Sequence, residues 1–184
     1  TMRIGLTLFP FGGDCSVNGS NTVFPCQIDS AVPISSILST LYPDGGTPMG
    51  PGLRQVEQYY SNLNDRDRRS FVVLVTDGEP TCRTNCGDAR NAAQALFNNE
   101  VPVFVIGFGR GTDTQCNNSI SAAGGTQMSL SATAGPELYD QLEAVFNRAK
   151  EEVCDAKDND CDGLVDEGVG ERPCDTACGQ GVER

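Results

Sequence analysis

The chain contains no histidine, and that absence closes off more chemistry than anything else in its composition. Ser-His-Asp and Cys-His nucleophile activation, His-ligated zinc and the commonest general base all go with it, so an enzyme is not expected. Positive charge is scarce too: 13 lysines and arginines face 25 aspartates and glutamates, a net charge of −12. Nucleic acids and anionic membranes bind a basic footprint, and neither is an expected partner. No run approaches the ~18 apolar residues of a membrane span, and no basic segment followed by an apolar stretch marks a leader.

What is present points outward. At 184 residues and 38% hydrophobic content, the chain is long enough for one full domain with a small appendage. Nine cysteines are too many for an ordinary cytosolic protein and place the chain in an oxidising compartment, extracellular or at a cell surface. The odd number leaves one thiol without a partner, or a partner beyond the residues in hand. Acidity is concentrated near the end, where residues 151–184 hold 11 acids against 3 bases. A tail of that kind is either solvated or binds cations.

The patterning is organised around residues 70–80, SFVVLVTDGEP. Five apolar residues from Phe71 to Val75 are too few for a helix and too uniform for a one-faced strand, so they predict a strand buried on both faces. Residues 101–108, VPVFVIGF, predict a second. Between the two lies a helical pattern with a small-residue face, Ala89, Ala92, Ala93, Leu96 and Phe97. Upstream, Pro51 starts a helix with the stripe Leu53, Val56, Tyr60 and Leu63. A strand is expected over 3–9, a short edge strand over 27–33 and a helix over 35–41. Residues 42–53, YPDGGTPMGPGL, form a shaped loop. A short helix at 119–123, a weak last strand at 126–130 and a long helix over 136–153 complete the series. Helix alternating with strand implies a parallel sheet covered by helices. The expected class is α/β, a Rossmann-like open, mostly parallel sheet with helices on both faces, plus a small Cys/Asp-rich loop module. Large apolar residues almost vanish after Val153, which sets the domain boundary there.

Two loop residues carry the first site. Thr47 lies in DGGTPMGPGL, and Asp77 ends the central strand in VTDGEP, at the sheet end where open α/β folds bind ligands. A hard cation such as Mg²⁺ takes oxygen ligands and keeps several waters, so one hydroxyl and a few carboxylates on neighbouring loops suffice. The pairing resembles the von Willebrand factor type A family. There a metal-ion-dependent adhesion site combines an Asp-x-Ser-x-Ser motif after the first strand, a Thr in a Gly-Thr-rich loop and the Asp of a strand-Thr-Asp-Gly turn. GGTPMG and VLVTDGEP match the second and third elements, and the element order agrees over residues 1–153. The first element belongs upstream of Thr1. The resemblance therefore implies a type A domain over 1–153 lacking its first strand and helix, with a solvent-open gap in its sheet. It also implies Mg²⁺ at Thr47 and Asp77 if the upstream motif is present. The plainer alternatives are a turn carboxylate before Gly78 and a loop hydroxyl bonded to nearby backbone.

The second site is CDAKDNDCDGLVDE, residues 154–167. Asp158, Asp160, Asp162 and Asp166 occupy offsets 1, 3, 5 and 9 of a calcium loop, Gly163 occupies offset 6, and the carbonyl of Leu164 serves offset 7. Offset 12 is Val169 rather than glutamate, with Glu167 a substitute in a shorter loop. The stretch is similar to thrombospondin type-3 repeats and to metal-binding repeats of bacterial cell-surface proteins, and its hard oxygen donors favour Ca²⁺. A solvated acidic linker is the competing reading. Residues 154–169 are thus an expected Ca²⁺-binding repeat, and 170–184 the start of a Cys-rich module. Expected bridges are Cys15–Cys26, one pair among Cys82, Cys86 and Cys116, and Cys154–Cys161. A four-thiolate zinc site of Cys82, Cys86, Cys174 and Cys178 is a minor alternative. Together these features predict a metal-dependent adhesion module whose partner is a protein, matrix or surface ligand. The alternative is a calcium-stabilised structural linker with a metal-free type A domain.

Overall fold

The computed structural model describes residues 2–11, 13–17, 23–42, 44–63, 68–152, 164–165, 168, 174–176 and 179–181. The apolar run at its centre forms a strand, Val72–Thr76, which pairs in parallel with Val103–Phe108; that strand pairs in parallel with Leu130–Ala132. In chain order the strands are β1 (Ile4–Thr7), β2 (Val23–Gln27), β3 (Val72–Thr76), β4 (Val103–Phe108) and β5 (Leu130–Ala132). The helices are α1 (Ala31–Ser39), α2 (Met49–Leu63), α3 (Cys86–Asn98), α4 (Thr114–Ala123) and α5 (Gly135–Lys150). Two short strands, β6 (Cys174–Thr176) and β7 (Gly179–Gly181), pair as an antiparallel hairpin near the end of the chain.

Strand period two sorts β4 onto two cores. Val103 and Val105 face a cluster with Met49 and Leu53 of α2, Ala92 and Leu96 of α3, and Ile120 of α4. Phe104 and Ile106 face the other way, onto Ala132 and onto Val145 and Ala149 of α5. Helices thus cover both faces of a parallel sheet, the class expected. The helix starts are set chemically. Asn85 caps α3 by accepting from the Asp88 amide while the Asp88 carboxylate accepts from the Asn85 amide, a reciprocal box. Asp113 caps α4 by accepting from the Cys116 amide at 2.9 Å.

The first two strands stand apart. β1 and β2 form their own antiparallel pair, and among the described residues no strand pairs with the free edge of β3.

Several boundaries differ from expectation. The edge strand expected over 27–33 lies earlier, at Val23–Gln27, and α1 starts at Ala31. Pro25 hides the strand in the sequence, yet an edge position tolerates a residue without an N–H. The last strand, expected over 126–130, is Leu130–Ala132. Thr126 is instead buried, its hydroxyl donating to the Val103 carbonyl at 2.7 Å, and a turn with positive φ at Gly125 and Gln127 delays the strand. The short helix at 119–123 starts earlier, at Thr114, because Asp113 supplies the cap.

The cysteine pairing is corrected in part: the pair expected among Cys82, Cys86 and Cys116 is Cys86–Cys116, but the Cys15 pairing differs. Cys15 bonds Cys82, and Cys86 bonds Cys116, so Cys15–Cys26 does not form and the four-thiolate zinc site loses two of its ligands. Cys26 is a half-buried free thiol. β2 turns it toward β1, where its sulfur sits 3.0 Å from the position a Gly5 Cβ would take. Cys154 and Cys161, the third expected bridge, lie outside the described residues.

Candidate metal and partner-binding site

β3 delivers Asp77 to the carboxyl end of the parallel sheet. The residue before it, Thr76, is buried and anchors the turn, its hydroxyl within 3.3 Å of the Gly78 carbonyl. Asp77 itself is exposed, its carboxylate free to take a ligand or solvent. The other half of the site comes from the loop before α2, where Gly45 has a φ of +88° that a side chain would strain.

The two halves meet. The Thr47 hydroxyl oxygen lies 3.7 Å from where a Gly78 Cβ would be, which places it directly beside the Asp77–Gly78 turn. Nothing in sequence distance requires this. It arises because the Thr47 amide donates to the Thr81 hydroxyl at 2.5 Å and the Thr81 amide donates to the Thr47 carbonyl at 3.1 Å, a reciprocal clamp between the loops. A third loop joins them: the Gly46 amide donates to the Asp14 carbonyl at 2.7 Å, and Cys15 beside it is bonded to Cys82.

Gly46 has no room for a side chain. A Cβ there would sit 2.5 Å from the Cys82 sulfur and 2.6 Å from the Thr81 hydroxyl, so the Gly-Gly-Thr loop lies flat on the disulfide. Thr81, Cys82 and Cys15 are the site residues that the sequence reading missed. Thr81 and Cys82 follow VTDGEP directly, but a separation of 67 residues gave no reason to join Cys82 to Cys15.

The Thr47 hydroxyl thus lies beside a turn that carries two exposed carboxylate residues, Asp77 and Glu79. Among the described residues, no group of three or more Cys, Asp or Glu converges. Hard oxygen donors of this kind fit Mg²⁺ or a similar cation that retains water, and would make part of its ligand set. Of the second expected site, Leu164 is exposed, while Asp158, Asp160, Asp162, Asp166 and Glu167 lie outside the described residues.

The family model for the von Willebrand factor type A domain matches residues 7–144, three quarters of the chain. The chain belongs to that family. Among solved structures, a von Willebrand factor type A protein from Catenulispora acidiphila is 20% identical, with a TM-score of 0.54, over 78% of this chain and 31% of its own. The manganese-loaded TRAP protein of Plasmodium vivax is 28% identical over 50% of this chain and 36% of its own, with a TM-score of 0.44. The chain therefore spans about a third of the length of each. No curated protein matches it. The type A assignment accounts for the parallel sheet, for helices on both of its faces and for the element order through α5.

Proposed function

We propose that this type A domain is a protein-binding module of the extracellular space or cell surface that uses a divalent cation as part of its contact. The observation that carries the proposal is the Thr47 hydroxyl beside the Asp77–Gly78 turn at the carboxyl end of the sheet. Thr47 and Asp77 would hold Mg²⁺ together with the upstream motif that the resemblance implies, and the ion would accept an acidic group of the partner. Two disulfides within the domain support an oxidising location, and no helix among the described residues is long and apolar enough to cross a membrane. Residues 154–169, with Asp158, Asp160, Asp162, the Leu164 carbonyl, Asp166 and Glu167, would bind Ca²⁺ and stiffen the connection to the segment that follows. The domain would work by binding, without catalysis.

Isothermal titration with Mg²⁺ and Ca²⁺ on the wild type, Asp77→Ala and Asp160→Ala, in a chain extended upstream to include that motif, tests both sites. Asp77→Ala should lose the Mg²⁺ heat and keep the Ca²⁺ heat, and Asp160→Ala the reverse. Mg²⁺ binding that survives Asp77→Ala removes the adhesion-site reading and leaves a metal-free type A domain. Ca²⁺ binding that survives Asp160→Ala removes the loop assignment.

A further inference from the structure

The two disulfides among the described residues do different things. Cys86–Cys116 joins the first turns of α3 and α4, and Cys116 is only 3% exposed. Cys15–Cys82 joins two loops at the candidate site, with Cys15 exposed and Cys82 half-buried. Thiol–disulfide exchange depends on access to a sulfur, so a reductant reaches Cys15–Cys82 first. That bond also underlies the site. Gly46 lies against the Cys82 sulfur, and Thr81, the residue before Cys82, holds both the amide and the carbonyl of Thr47. Asp14, the residue before Cys15, accepts from Gly46. These three hydrogen bonds of the Thr47 loop are thus made by residues that adjoin the disulfide cysteines.

We propose that the Cys15–Cys82 disulfide, acting through Thr81, positions Thr47 and makes cation binding at Thr47 and Asp77 dependent on the local thiol–disulfide balance. The inference rests on the reading of Thr47 and Asp77 as a cation site. A soluble dithiol gives two electrons and two protons to the Cys15–Cys82 bond. The S–S bond breaks to two thiols, and the reductant closes its own disulfide. Cys82 and Arg83 both have positive φ, at 62° and 59°, a backbone that tertiary restraint must hold. Once the tether opens, this segment relaxes and Thr81 moves away from Thr47. Thr81 is a positioning residue, while Thr47 and Asp77 touch the ion.

The test reads two quantities on the full chain. One is amide hydrogen exchange at Thr47 in metal-free protein; the other is Mn²⁺ affinity from the electron paramagnetic resonance of free Mn²⁺. Thr81→Ala leaves the disulfide intact and should speed Thr47 exchange about fivefold, the loss of one hydrogen bond, with a similar rise in Kd. Thr81→Ser should restore both. Cys15→Ser/Cys82→Ser, or limited reduction that spares Cys86–Cys116, should speed exchange by more than about tenfold as both Thr47–Thr81 bonds loosen, while β4 amides stay protected. Unchanged Thr47 exchange in Thr81→Ala overturns the proposal even if the cysteine variant unfolds. Failure of the underlying reading looks different: Mn²⁺ binding that is absent in wild type, or that survives Asp77→Ala, removes the cation site while exchange still reports on the clamp.

Discussion

The parallel sheet and the β1–β2 hairpin with its following helix, α1, are built on opposite principles. In β4, five of six residues are buried, and each face of the strand meets its own apolar cluster. In β1 none is buried, and α1 buries none of its nine residues although its sequence, AVPISSILS, is mostly apolar. Among the described residues, what ties the hairpin to the rest is Phe9 packed against the first apolar cluster together with specific links: the Cys15–Cys82 bond, the Gly46 amide on Asp14, and the Cys26 amide donating to the Tyr59 hydroxyl at 2.8 Å. One region is fixed by packing over a large area and the other mainly by tethers, with Phe9 its packed anchor. The candidate site lies on the seam, with Asp77 from the packed region and Thr47 in a loop tied to both.

The comparison breaks most visibly under truncation in the sheet region. Leu96 of α3 is fully buried among Met49, Val103 and Ile120, so Leu96→Ala removes packing and leaves a cavity. The expected loss is about 4 kcal/mol, read as a fall in the urea midpoint at unchanged m-value. A loss below about 1 kcal/mol would mean that the packed region is less packed than the strand burial implies.

The same contrast governs what was legible in the sequence. β4 was readable because a strand buried on both faces is apolar without alternation, and α5 because its stripe repeats at helical period. β3 was legible as a strand, but it is not buried on both faces as expected, since only Leu74 and Thr76 are buried and Val75 is 39% exposed. Thr47 and Asp77 were paired through the family resemblance, on the motifs GGT and TDG, and the structure sets the Thr47 hydroxyl beside the Asp77–Gly78 turn. What failed was non-local. No spacing rule connects Cys15 to Cys82, and the nearer Cys26 offered an attractive short loop that β2 rules out by aiming its sulfur at β1. The clamp of Thr81 on Thr47 was hidden for the same reason, since threonine in a loop has no pattern until two loops are placed side by side. Pro25 misled differently, a local rule against strands overridden at a sheet edge.

An intermediate effect is expected where α2 meets the start of β3. The Tyr60 hydroxyl donates to the Phe71 carbonyl at 3.2 Å. Burial is the main cause of a pKa raised above the ordinary tyrosine value, with the nearby Cys26 thiol adding to it. A phenol favoured in its neutral form contributes stability that is fully present below the unfolded-state pKa of about 10. As pH rises through that value toward the higher folded pKa, the unfolded state ionises first and the contribution is lost. Urea midpoints measured from pH 8 to 11.5 should therefore fall above about pH 10, and Tyr60→Phe should flatten that part of the curve. At pH 7 the same substitution should cost about 1 kcal/mol, one hydrogen bond. An unaltered alkaline slope in Tyr60→Phe would assign the loss to other groups and weaken the link between α2 and the sheet.

The smallest effect is expected in α1, and there smallness is the informative outcome. Val32 is 79% exposed, so Val32→Ser removes almost no buried apolar surface. Area alone predicts a change within about 0.5 kcal/mol, against about 4 kcal/mol for Leu96→Ala. The two values measured on the same chain give the contrast between regions as one ratio. Hydrogen exchange localises it: Val32→Ser should leave β4 protection unchanged, since α1 shares no buried residue with either apolar cluster. If Val32→Ser instead cost as much as a core truncation, α1 would be packed against something in solution, and the division between a packed sheet and a tethered hairpin would fail. If the cost were small but appeared only in α1 and β1 amides, the hairpin and its helix would be a separate unit of local opening, joined to the sheet at the seam where Thr47 and Asp77 meet.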